Sequence, residues 1–143
     1  MMGYCLMVTP FRMIWDADGQ EMVPDLETVE QSDAPDLPNS WHGRTNVHTI
    51  RYGQLDAWVG RVGLADLLAH DGDLLKDGHP GWVMLRPAHL LRVQQALRSA
   101  QARATLPAGY GEGHDSDLAR LVWLEWWIRY GLATWKQPMF ANY

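Results

Sequence analysis

The stretch Leu118–Trp135, LARLVWLEWWIRYGLATW, decides how the rest of this sequence is read. It holds four of the eight tryptophans, and only Arg120, Glu125 and Arg129 interrupt its apolar run. A helix that is apolar on nearly every side must be covered on nearly every side. It is also too short and too charged to cross a bilayer. The stretch therefore predicts a central core helix. Along it Arg120, Trp123, Trp127, Tyr130 and Thr134 form one stripe, opposite Leu118, Val122, Glu125 and Leu132. Two such stripes are hard to bury together in a small domain. Trp123, Trp127 and Tyr130 are accordingly expected at a partner or self-association surface.

The neighbouring segments supply the cover. Before the tryptophan stretch, AGYGEGHDSD is a glycine-rich loop in which Asp115, Ser116 or Asp117 can cap the helix and complement its dipole. Upstream, Pro87 suits the first turn of a helix over about residues 87–105. Its apolar face is Leu90, Val93, Leu97, Ala100 and Ala104, and its polar face is Arg92, Gln95, Ser99 and Arg103. Leu55, Trp58, Val59 and Val62 fall at i, i+3, i+4 and i+7, a further helical stripe. Leu64, Leu67 and Leu68 continue as a short helix that ends at Asp71-Gly72. Before the first stripe, Trp41–His48 opens an ordered region in which Asn39, Ser40 or Thr45 can cap a helix.

Strand signals are weaker. Tyr4–Thr9 and Phe11–Trp15 are apolar runs split by Pro10, Asp16–Gly19 is a turn, and Glu21–Val23 can return as a strand. Trp82–Leu85 reads as a brief extended run, and the tail KQPMFANY as a segment that packs Met139 and Phe140 on the body. The expected fold is α+β, mostly helical. Three to four helices pack around the Trp-rich C-terminal helix, with a small N-terminal antiparallel β element. Residues 1–143 make one domain, with 24–40 an acidic, Pro-rich surface loop.

The single cysteine, Cys5, gives no disulfide framework and no thiolate cluster. The start, MMGYCLMVTP, lacks the basic region of a signal peptide, and no run of about 18 apolar residues occurs. A cytoplasmic protein without a membrane span is expected.

The net charge of −5 conceals a segregation. Residues 13–43 contain eight carboxylates and neither Lys nor Arg, whereas residues 78–111 contain four arginines and no carboxylate. Such asymmetry speaks to partners rather than to fold. Asp25, Glu27, Glu30, Asp33 and Asp36 are candidate contacts to a protein with a basic surface. The competing reading is a solubilising loop that folds back on the chain's own arginine helix.

Catalytic spacings are lacking. DADGQE differs from a calcium loop, whose glycine stands sixth, because Gly19 is fourth from Asp16. Gly109, Gly111 and Gly113 precede a helix start as in a phosphate loop, but Glu112, Asp115 and Asp117 surround them without a nearby cation. The six histidines show no metal-ligand spacing. No metal or cofactor is expected, and direct nucleic-acid binding is not, since the chain is acidic with few arginines. The groups to name for acid–base work are Asn46, His48, His114 and Asp115, each with a turn or capping role as the alternative.

A tryptophan followed by Asn and His (Trp41, Asn46, His48), a long helix, Leu106-Pro107, a Gly/aromatic loop and an aromatic helix come in this order. Over about residues 41–135 this resembles a group of small, functionally uncharacterised proteins common in phages and bacterial genomes. The resemblance implies a mobile-element or accessory setting. Together these features predict a non-enzymatic binding protein that inhibits a host defence or nucleic-acid-binding protein through an acidic surface and exposed aromatics. The alternatives are a small hydrolase or transferase at a His/Asn/Asp pocket, and a structural subunit of a homo-oligomer or larger assembly.

Overall fold

Four short strands from distant parts of the chain make the sheet on which everything else rests. In the computed structural model, which describes residues 3–37 and 43–143, the elements run β1 (Gly3–Pro10), β2 (Met13–Trp15), β3 (Met22–Pro24), β4 (Val47–Arg51), α1 (Tyr52–Val62), α2 (Ala65–Leu68), β5 (Gly81–Met84), α3 (Pro87–Arg103), α4 (Ser116–Thr134) and β6 (Pro138–Asn142). The main sheet has the order β4-β1-β6-β5 and is antiparallel throughout; β2 and β3 form a separate two-stranded ribbon.

This corrects the mostly helical expectation. Helix accounts for 38% of the structure and strand for 24%, and the β component is a four-stranded sheet rather than a small N-terminal element. The reason is non-local pairing. Leu6 lies opposite both His48 and Asn142, and Val83 lies opposite Phe140. No local window of sequence contains both partners of such a pair. The tail, expected only to pack on the body, is an inner strand.

Alternation along the strands gives the sheet two apolar faces. Leu6, Val8, Ile50 and Phe140 join the main core with the helices, where α4 packs on β1 and β6 and α3 packs on α4. Met7, Val47, Met139 and Ala141 form a second cluster on the opposite face, against Phe11, Leu26, Trp82 and Met84. The helical stripes fall as the periodicity predicts: Leu55, Trp58, Val59 and Val62 are the buried residues of α1. The first helix nevertheless starts later than expected. Thr45 precedes a strand instead of capping a helix, and α1 begins at Tyr52. Asn39 and Ser40 lie outside the described residues.

The helix α4 is covered on most sides, with Arg129 and the end of its last turn left to solvent, and the cover comes from sheet as well as helix. Trp123 is 1% exposed and its indole N–H donates to the Thr45 carbonyl at 3.0 Å. Trp127 is fully buried. Both were expected at a partner surface, and both are core residues: a sheet on one side and α3 on another supply enough apolar cover for two aromatic stripes. Asp115 caps α4, its carboxylate accepting from the Leu118 N–H at 3.0 Å.

Candidate functional site

The described residues beyond the core are best read from their acidic end. The turn Asp16–Gly19 closes the β2–β3 ribbon: the Asp16 carboxylate accepts from the Gln20 N–H at 2.9 Å, and Gly19 adopts the positive φ of 67° that the turn requires. The register sets Trp15 opposite Met22 and Ile14 opposite Val23. Trp15 is 63% exposed, Met22 44% and Ile14 42%, so the ribbon carries Trp15 and Met22 into solvent on one face and Ile14 on the other. Asp18 and Glu21 stand exposed beside it.

From Pro24 the chain runs back along the sheet and is pinned there. The amide of the fully buried Asn46 donates to the carbonyls of Val8 at 2.7 Å and Glu27 at 2.8 Å, and accepts from the Val29 N–H at 2.7 Å. The Thr9 hydroxyl meets both the N–H and the carbonyl of Glu27 at 3.3 Å. Arg12 pairs with Asp25, Arg44 donates to the Ala34 carbonyl, and Ala34 and Leu37 are fully buried. Apolar anchors and side-chain clips thus hold an arm whose Glu27, Glu30, Asp33 and Asp36 remain exposed. Among the described residues none of those four enters a salt bridge. Asp25, half-buried against Arg12, is the exception within the expected set.

Among the described residues no salt bridge joins the arm to the arginine helix. Arg92 of α3 forms a two-pronged pair with Asp66 at 2.8 and 3.0 Å, and Arg103 donates to Ser99 at 2.8 Å. The opposite charges of residues 13–43 and 78–111 are each satisfied elsewhere or left to solvent.

The four candidate acid–base residues are put to separate structural uses. Asn46 spends its amide on three backbone partners, and Asp115 caps α4. His48 lies buried beside Trp123, with the Arg120 guanidinium Nε 3.3 Å from its Nε2. Arg120 also lies 5.6 Å from the centre of the Tyr110 ring, whose phenol burial pushes up to about 12. His114 is exposed, packs against Gly109 and contacts the Glu112 carbonyl at 3.1 Å. The cavity that His114 and Asp115 line is completed by Arg61, Thr105, Leu106, Ser116 and Asp117, without Asn46 or His48. Among the described residues no group of three His, Cys, Asp or Glu is placed to hold a metal ion.

A second titratable cluster escaped the sequence reading. His89, at 2% exposed, accepts the Arg86 N–H on Nδ1 at 3.0 Å, which leaves its Nε2 N–H to donate to Asp73. Lys76 and Arg86 reach the same carboxylate at 2.9 and 3.0 Å. The bond from His89 first, and then that from Lys76, hold the Asp73 carboxyl well below the usual carboxylate range. Both ring nitrogens of His89 are occupied, so the cluster staples the 69–78 turns to the start of α3 rather than offering a free base.

Of the expected partner-facing aromatics only Tyr130 keeps some exposure, half-buried and stacked on Trp126 at 5.2 Å. Among the described residues the most exposed aromatic is Trp15, and its signal was present in the sequence. It sits in a short strand next to a turn, without a second apolar layer to cover it. Among the described residues no helix is long and apolar enough to cross a membrane. No family model matches the chain, and no curated protein or solved structure matches it either.

Proposed function

We propose that this chain is a non-enzymatic binding protein whose contact surface is the β2–β3 ribbon together with the acidic arm behind it. The observation that carries the reading is the exposure of Trp15, Ile14 and Met22 within a field of free carboxylates. Interface hot spots are enriched in tryptophan and ringed by polar groups, and a two-stranded ribbon has little stability to gain from leaving such residues in water. The partner that fits has an apolar pocket rimmed by Lys and Arg. A nucleic-acid-binding protein offers such a rim, and carboxylates spaced along the arm occupy it in place of phosphates. In the mobile-element setting that the sequence resemblance implies, the partner is a host protein and the outcome is inhibition.

The enzymatic alternative draws no support from the dispersal of Asn46, His48, His114 and Asp115. The test is affinity capture from a lysate of the source organism at low and high salt, run with the wild-type chain, with Trp15→Ala, and with charge reversal at Glu27, Glu30, Asp33 and Asp36. The expected result is a stoichiometric partner that is lost with either variant and weakened by salt. A partner retained by both variants overturns the proposal.

A further inference from the structure

Independently of the ribbon, the flank of α1 beside its core stripe, with Leu55 at the border, lines a cavity of about 320 Å³. That volume lies at the low end of small-molecule sites, roughly 300–1,000 Å³. The spacing i, i+3, i+4 puts Tyr52, Leu55 and Asp56 on one side of the helix, and Tyr4 of β1, Leu68 of α2, His70 and Leu75 complete the wall. Leu55, Leu68 and Leu75 are buried and form an apolar floor. The rings of Tyr4 and Tyr52 meet at 74° with centres 4.8 Å apart, and so form a corner. His79 backs that corner, 4.3 Å from Tyr4, and is held in turn by the Asn142 carboxamide.

Three features of this wall bear on what it would hold. No Lys or Arg lines it. Among the described residues Asp56 enters no salt bridge, so its charge is left to solvent. Its field reaches the rings: the Tyr4 phenol is raised by burial first and then by Tyr52 and Asp56. Aromatic faces carry negative potential, and a corner of two rings with a carboxylate is the arrangement that attracts an organic cation with a poorly hydrated head. An anion would meet the carboxylate, and a neutral ligand would leave that charge unused.

We propose that this cavity binds an alkylated ammonium group, with the cation against Tyr4, Tyr52 and Asp56 and its carbon substituents on Leu55, Leu68 and Leu75. The same chemistry is offered by a free quaternary amine and by the side chain of an N-methylated lysine. Titration calorimetry on the full chain distinguishes them, with choline, a short peptide bearing trimethyl-lysine, and 3,3-dimethylbutan-1-ol, the uncharged isostere of choline. The expected result is saturable binding of choline or of the peptide, with the tighter of the two naming the source, and at least about tenfold weaker binding of the isostere. Asp56→Asn, an exposed change on the helix surface, and Tyr52→Leu, which keeps an apolar wall, are each expected to weaken the cation about tenfold while the thermal unfolding profile is unchanged. Equal binding of the isostere, undiminished binding by folded Asp56→Asn, or no saturable binding of either cation up to about 50 mM overturns the proposal.

Discussion

Two regions of this molecule spend tryptophan in opposite ways. In α4, Trp123 and Trp127 are sealed between a sheet and a helix. In the β2–β3 ribbon, Trp15 is more than half exposed beside free carboxylates. The residue type is the same and the local sequences are both apolar. The difference is the number of layers that reach each element. The helix α4 touches β1, β6 and α3, whereas among the named strands and helices β2 and β3 make their main contacts with each other. An aromatic residue belongs to stability where the fold brings it neighbours, and is available for binding where it does not.

Substitutions test that contrast, and the largest effect belongs to the helix. Trp127→Ala should cost about 3–5 kcal/mol in urea unfolding, since a large buried ring is lost and its cavity cannot collapse. A cost of under about 1 kcal/mol would mean that α4 is less tightly covered than described. Next comes the clip between sheet and arm. Asn46→Ala leaves the Val29 N–H and the Val8 and Glu27 carbonyls without their partner, at about 1–3 kcal/mol. The arm should then be cleaved by proteases between residues 24 and 37 well before the body unfolds.

A smaller effect depends on pH. The folded Asp73 carboxyl titrates below its ordinary value of 3.8, so its contribution to stability is fully present above that value and is lost as acid protonates it. Asp73→Asn should therefore be less stable than wild type at neutral pH, with the two converging as pH falls below about 4. Parallel pH–stability curves would remove the carboxylate from the account. The smallest expected change is Trp15→Ala, within about 0.5 kcal/mol of wild type in the same assay although it deletes a tryptophan. A large loss there would mean that the ribbon is a core element, and the comparison would collapse.

How much of this was legible depended on the reach of the interactions. Helices rest on contacts three and four residues apart, so Leu55, Trp58, Val59 and Val62 announced α1, and the cap of α4 was narrowed to Asp115, Ser116 or Asp117, of which Asp115 serves. The ribbon was legible for the same reason, its turn being written in Asp16–Gly19. The sheet was not, because β6 acquires strand character only by lying between β1 and β5. Nor was the fate of the tryptophans: periodicity shows which residues share a face, but the cover of that face comes from the sheet. The His89–Asp73 contact was hidden likewise, joining a turn to a helix start by side chains alone.

The placement of β6 bears on how the chain can be made. Strand β1 leaves the ribosome before the other elements, and the segment that seats beside it, residues 138–142, emerges only after α4. Until then β1 has only β4 as a neighbour, β5 has none, and the apolar surface of α4 lacks its floor. Closure of the sheet therefore waits for residues 138–142, and until they emerge the tryptophans of α4 lack part of their cover. A ribosome stalled a few codons short of Pro138 would hold a product with the whole helical complement and no closed sheet, a natural client for chaperones.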